Sequence, residues 1–350
     1  MTASSRQRRR GGAESTSTVL VALGVNLAIA LGKGIAAVLT GSAAMAAETA
    51  HSVADTANQI FLLIALRTSE RPADPEHPLG YGRTRYFWSL LAAMSIFVTG
   101  ALYSAFEGVH TLTSENHDLG DLRVSYLVLV VAFVLESTSL AKALAQTRRE
   151  AREHRQSFLS FLRTSDDPTA TTVVFEDSAA VLGLVLAAAG IGLHQLTGSG
   201  VPDAVASLLI AALLAFVAIR LGRSNMRLLT GVQADPRLVR ALVRWLGEQR
   251  EVDAVADVLT VLVGTDQVVC CARVDLHDDM TAAEVEQAMV RMGRNLRGQF
   301  PEVVEVFIEP VPRDHPEVQR RVRARYGEEI ADRLAGQAEA PSGGATAAWP

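Results

Sequence analysis

Residues 43–66 read AAMAAETAHSVADTANQIFLLIAL, and the fold turns on whether this stretch crosses a membrane. A helix needs about 20 predominantly apolar residues to pass through hydrocarbon ~30 Å thick. The stretch has the length, and a basic loop follows Leu66, yet it contains Glu48, His51 and Asp55. Its surroundings favour a span. Val19–Thr40 carries a single charge (Lys33), Phe87–Phe106 none, Val124–Leu144 two (Glu136, Lys142), Thr172–Leu193 two (Glu176, Asp177), and Ala204–Leu221 one (Arg220). With 43–66 counted as the second, six transmembrane helices are expected before residue 225. The start of the chain does not read as a cleavable signal peptide, because no small-residue cleavage site leads into a soluble domain.

Lys and Arg accumulate in short cytoplasmic loops, and here the bias is strong. Arg6, Arg8, Arg9 and Arg10 precede the first span. Arg67, Arg71, Arg83 and Arg85 lie between the second and third, and Arg148, Arg149, Arg152, Arg155 and Arg163 between the fourth and fifth. The alternate loops hold only Arg123, with Glu115, Asp118 and Asp121 crowding beside it. Both termini are therefore expected in the cytosol, with the chain in the plasma (inner) membrane.

Composition removes other classes. The 350 residues are 49% hydrophobic but only 5% aromatic, so the apolar content is Ala, Val and Leu in runs, unlike a disordered or collagen-like chain. The only cysteines, Cys270 and Cys271, are adjacent, which excludes a disulfide framework and fits a reducing compartment. Thirty-three basic against 38 acidic residues, a formal net charge of -5, argue against a nucleic-acid partner.

After Arg227 the pattern becomes α-β-β-α-β. Asp235 can cap a helix whose first residue is Pro236 and which runs to about Gln249. Val258–Val263 and Gln267–Asp275 read as strands around a turn at Gly264-Thr265-Asp266; Thr281 and Glu284 form a capping box for a helix ending about Gln299; Val303–Ile308 is a third strand. The expected division is a basic segment 1–17, a transport domain 18–230, a small cytosolic α/β domain 231–313, and a tail 314–350, partly helical and then disordered from about Gly336. A domain of ~80 residues is marginal alone, which favours pairing with a second copy.

Ionisable groups inside a bilayer cost at least ~2.5–3.5 kcal/mol each at the helix centre, so each needs a partner, water or a function. His51 and Asp55 are four apart on one helical face, and Glu48 extends that stripe. Counting inward from Leu66 and from Pro168, Asp55 and Asp177 both lie roughly 14–17 Å deep, so they can meet near the midplane. One imidazole and two carboxylates suit a borderline divalent cation such as Zn²⁺, with Mn²⁺, Fe²⁺ or Co²⁺ as alternatives, and the same groups carry protons. Interhelical hydrogen bonding alone is the competing reading.

Glu176 points about 100° away from Asp177 and ranks second as a ligand. Lys33 and Glu48 are expected as an intramembrane ion pair; Glu136 either pairs with Lys142 or lines a water-filled path; Asn26, Asn58 and Gln59 read as interhelical hydrogen-bonders. Asp74 and His77, in the loop Pro72–Arg83, are weaker metal candidates, as is His277 with Asp278 and Asp279 near the cysteines. No His-Glu-x-x-His occurs, and Gly32-Lys33 lacks the flanking residues of a phosphate loop, so an enzyme or nucleotide-driven pump is not supported.

These residues together resemble the cation diffusion facilitator (cation efflux) family, in its zinc-transporter-like branch, over about residues 17–313. The likeness rests on Thr40-Gly-Ser42, on Glu48–Gln59 with its His51, Ser52, Asp55, Thr56, Asn58 and Gln59, on His77–Arg83, on Glu176-Asp177, and on the α-β-β-α-β tail. The resemblance implies a six-helix membrane domain with a ferredoxin-like cytosolic domain, a homodimer, and proton-coupled export of a divalent metal, with no prosthetic group. It also implies a transport site at His51, Asp55, Val173 and Asp177, in which Val173 replaces the usual fourth ligand. The loop position that is His in some members is Tyr81, and the matching positions of the family's tail-domain metal site hold Ala256 and Glu309. The expected function is therefore a metal:proton antiporter exporting Zn²⁺, or alternatively Mn²⁺, Fe²⁺ or Co²⁺. A membrane metal sensor or scaffold without turnover is the reading from another class, and a metal-dependent membrane hydrolase a weaker third.

Overall fold

The computed structural model describes residues 16–114, 122–153, 157–158, 161–162 and 168–328. The basic N-terminal segment, Glu115, Asp118, Asp121, Arg155, Arg163 and the tail from Gly336 lie outside the described residues. The chain divides into two compact units, one of residues 1–70 and 84–226, the other of residues 71–83 and 227–350.

The first unit is helical: α1 (Thr16–Thr40), α2 (Ala43–Ser69), α3 (Thr84–Thr113), α4 (Leu122–Glu153), α5 (Pro168–Thr197) and α6 (Val201–Thr230). Among the described residues, five helices, all but α2, are long and apolar enough to cross a membrane. They turn large apolar side chains outward, as Leu31, Val38, Leu127 and Leu209 do. α2 has 27 residues, long enough to span, but its charged side chains lower its hydropathy. It is amphipathic in reverse: Val53 and Ile60 are exposed while Glu48, His51 and Ser52 are buried.

Small residues let the helices close in. Ala44, Ala47 and Ala54 of α2, Ala179 and Ala187 of α5 and Ala206 of α6 sit in one core with Met45, Ile96, Leu184 and Leu214. Ser42 caps α2, its hydroxyl accepting from the Met45 N–H at 3.1 Å. Asp203 of α6 completes that cap, taking the Ser42 hydroxyl at 2.8 Å and the Ala43 N–H at 2.6 Å, so a carboxylate sits at the positive end of the α2 dipole. In α3 the backbone loosens to a π-helical stretch over Ile96–Leu102.

The second unit contains α7 (Pro236–Gly247), β1 (Val252–Gly264), β2 (Gln267–Leu276), α8 (Ala282–Gln299), β3 (Val303–Pro310) and α9 (Pro316–Tyr326). The sheet order is β1-β2-β3, antiparallel between the first pair and parallel between the second, so α8 is the crossover that parallel pairing requires. The predicted caps are present: Asp235 accepts from the Arg237 N–H at 2.6 Å, and Thr281 and Glu284 bond reciprocally. β1 starts six residues before the predicted Val258. Bulges between Val252 and Ala254 and between Val255 and Asp257 break the alternation on which the sequence reading relied.

The loop 71–83 belongs to this unit. A Cβ at Gly82 would lie 2.5 Å from the Val263 carbonyl oxygen and 2.8 Å from Gly264 Cα, so only glycine permits this close approach to the β1–β2 turn.

Candidate metal centre

The inward face of α2 carries the candidate ligands. His51 is 2% exposed, and its Nε2 lies 3.6 Å from Asp55 Oδ2, one helical turn away. Both imidazole nitrogens and Asp55 Oδ1 are buried with no hydrogen-bond partner. Where water cannot reach, such orphaned atoms are costly, and here they are concentrated on one turn of one helix.

Asp177 of α5 approaches from the side. Its charge is felt at both His51 and Asp55, but its Oδ2 accepts from the Ser139 hydroxyl of α4 at 2.8 Å. Among the described residues no three His, Cys, Asp or Glu side chains are gathered tightly enough to hold an ion. The structure thus brings His51 and Asp55 together and leaves Asp177 tethered to Ser139. Glu136, one turn before Ser139, is half-buried, lies within electrostatic reach of Asp55 and His51, and makes no ion pair with Lys142.

Glu176 faces another way. Its Oε2 accepts from Asn58 Nδ2 at 2.6 Å, the interhelical bond expected of Asn58. Val173 and Glu176 together line a small cavity of about 30 Å³ with Asn58, Ser89 and Asn225. Deeper along α2, Lys33 Nζ and Glu48 Oε2 form an ion pair at 2.8 Å, both side chains fully buried. Glu48 Oε1 fills the space where a Cβ at Gly183 of α5 would stand, so that glycine is what lets the two helices enclose the pair.

The candidates of the second unit are more exposed. Asp74 Oδ1 accepts from the N–H groups of Glu76 and His77 at 3.0 and 2.7 Å, and Oδ2 from the Tyr81 hydroxyl at 2.7 Å. Those bonds, Tyr81 first, hold the Asp74 carboxyl below its usual range, and reciprocally raise the Tyr81 phenol. His77 Nδ1 is 3.5 Å from Asp74 Oδ1. Asp74 is thus already committed to its own loop. Cys270 is buried and Cys271 half-buried on opposite faces of β2, so they do not face one site, and burial pushes the Cys270 thiol up to about 12. His277 pairs with Asp253 at 2.7 Å and with the Arg250 carbonyl at 2.7 Å, not with the cysteines.

Three participants escaped the sequence reading. Ser139 was legible only as one hydroxyl residue in the run Ser137-Thr-Ser139 beside Glu136. Asn225 and Asp203 stand just outside the apolar window Ala204–Leu221 on which α6 was recognised.

The first unit is a bundle of helices, all but α2 long and apolar enough to cross a membrane, with buried carboxylates and an imidazole on its inner faces. Comparison with known proteins makes this specific: a profile described as the cation efflux transmembrane domain matches residues 19–230, and the chain belongs to the cation efflux, or cation diffusion facilitator, family. It is 31% identical over 322 residues to the human proton-coupled zinc antiporter SLC30A9, mitochondrial, covering 86% of this chain and 56% of that protein. To metal tolerance protein C4 of Arabidopsis thaliana it is 29% identical over 293 residues, 84% of this chain and 62% of the relative. Magnetosome protein MamB of Magnetospira sp. (strain QH-2) is 32% identical over 92 residues, 26% of this chain and 31% of the relative. The chain therefore spans less than two thirds of each of these relatives.

Proposed function

We propose that the protein is a secondary antiporter that moves a divalent cation, Zn²⁺ foremost, out of the cytosol in exchange for protons. The observation carrying this reading is the orphaned polar face of α2: two imidazole nitrogens and a carboxylate oxygen, buried and unpartnered, on a helix that otherwise turns apolar residues outward. The human relative is a proton-coupled zinc antiporter, which supports the same reading. A cation arriving at His51 and Asp55 finds two ligands in place. Asp177 supplies the third when its carboxylate leaves Ser139, and water or Glu176 fills the position at which Val173 offers no ligand. Metal and protons compete for these groups, so metal binding expels protons and a proton gradient drives release. Movement of one helix group against another exchanges the open side.

In this reading α2 is a sixth span, the α-β-β-α-β unit is a ferredoxin-like domain that joins two copies, and the protein sits in the plasma (inner) membrane with its termini in the cytosol, an orientation that the Arg asymmetry supports. The first prediction follows. In proteoliposomes, Asp55→Asn and Asp177→Asn each abolish Zn²⁺ uptake driven by a pH gradient, while chromatographic behaviour stays that of the wild type. Uptake at the wild-type rate by both variants overturns the site. The second reading, a sensor or scaffold, draws on the ungathered shell and on Val173; stoichiometric Zn²⁺ binding without any flux selects it.

A further inference from the structure

The cavity beneath the α2 pair is not explained by a site at His51 and Asp55. Asn58 is three residues beyond Asp55 toward the Ser69 end of α2, and Asn225 is five residues from the Thr230 end of α6. Glu176 enters from α5 and Ser89 from α3, so four helices contribute polar side chains to one small space. Its contents are anomalous for a membrane interior. Glu176 Oε1 is buried and unpartnered; its other oxygen has only the Asn58 amide, and among the described residues no Lys or Arg pairs with it. Asn225 is 1% exposed, spends its NH₂ on the Leu221 carbonyl at 3.0 Å, and leaves Oδ1 buried and unpartnered. A carboxylate oxygen and an amide oxygen, both lacking donors, on the walls of one cavity require a positive or donating occupant.

We propose that Asn58, Glu176 and Asn225 form a second cation site, which receives a partly hydrated divalent cation before it passes to His51 and Asp55. The order of the two sites rests on the export reading above. The volume, about 30 Å³, fits an ion with a water rather than an organic ligand. The donors are all oxygen: Glu176 Oε1, Asn225 Oδ1, the Asn58 carbonyl and the Ser89 hydroxyl. Such a set prefers hard cations, whereas the imidazole of His51 prefers borderline ones. The two sites therefore differ in selectivity: the oxygen site nearer the cytosol accepts Mn²⁺ readily, and the histidine site discriminates. Val173 adds an apolar side chain to the cavity lining.

The test uses the full chain in lipid nanodiscs with Mn²⁺ as probe, bound and free ion being separated by electron paramagnetic resonance. The background Asp55→Asn/His77→Gln/His277→Gln removes a ligand from each of the other candidate sites. In that background one Mn²⁺ per chain is expected to remain, and adding Glu176→Gln, which keeps the acceptor for Asn58, weakens it by about tenfold or more. Asn225→Leu does the same. A background that binds no Mn²⁺, or one whose binding is unchanged by both added substitutions, overturns the site and leaves the cavity to water. Flux measured in parallel separates the two readings: if Asp55→Asn and Asp177→Asn both transport at the wild-type rate, the site at His51 and Asp55 fails, yet the Mn²⁺ count still decides the second site.

Discussion

Lys33 and Glu48 show how one pair of residues is tied to its surroundings. Both side chains are fully buried, and Glu48 Oε1 is held against Gly183. The Coulomb attraction of such a pair little more than offsets the desolvation of two ions, so the pair as a whole adds little, but removing one partner strands a charge. Lys33→Met is therefore expected to lower unfolding stability by ~3–5 kcal/mol, and Lys33→Met/Glu48→Gln to recover most of it. Thermal unfolding of the detergent-solubilised chain checks this; a double variant no more stable than the single one rejects it. Val173 is argued at the same scale. It lies four residues before Asp177 on the cavity wall, so Val173→His introduces an imidazole there and is expected to shift metal competition toward Zn²⁺ over Mn²⁺ by on the order of tenfold. Transport with mixed metals reads the shift, and an unchanged preference places residue 173 outside the path. The Lys33–Glu48 pair was legible in the sequence because the one charge of the first span and Glu48 stand at similar depth in neighbouring spans. The tether of Asp177 to Ser139 was not, since a serine in an apolar run satisfies itself on its own helix as readily as on another.

Among the elements, α2 was legible by length and by the spacing of its charges, and illegible to hydropathy alone, because its charges face protein rather than lipid. Helix starts were readable where a side chain caps its own helix, as at Asp235 and Thr281; the Ser42 cap was not read as one, and the share of Asp203 in it is contributed from 161 residues away. The start of β1 was hidden by its bulges. Beside it lies a pH-sensitive clasp. His277, just past β2, sets both ring nitrogens against acceptors, the Arg250 carbonyl before α7 hands over to β1 and the Asp253 carboxylate within β1; the carbonyl first, and then the carboxylate's charge, raise its pKa above 6.5. Asp279 adds to the rise. A raised folded-state value means the stabilisation is complete below 6.5 and is lost as pH climbs through that higher value. Hydrogen–deuterium exchange of the full chain, corrected for intrinsic rates, is expected to show Val252–Val255 opening more often above that window than below it. His277→Gln flattens the dependence; a pH-dependent opening that survives the substitution assigns it elsewhere.

At the scale of the whole molecule, the division near Arg227 was legible because the apolar runs stop there. That residues 71–83 fold with the second unit was not, since Gly82 finds the Val263 carbonyl across some 180 positions of sequence, a contact that no local pattern encodes. Oligomeric state belongs to this scale too. The sheet ends on β3, an edge that leaves Val304 39% and Phe307 58% exposed. An uncovered strand edge invites pairing with another chain, and large apolar side chains exposed beside it add to that tendency. A second copy covering β3 resolves both difficulties, and it places the two sheets edge to edge or face to face with Phe307 near the centre of the contact. Native mass spectrometry of the detergent-solubilised chain is then expected to find dimers, and Phe307→Glu to weaken them by about tenfold or more, because an aromatic anchor at an interface centre is replaced by a charge that must be desolvated. A wild-type chain that is monomeric at micromolar concentration, or a Phe307→Glu variant as dimeric as the wild type, removes β3 from the interface.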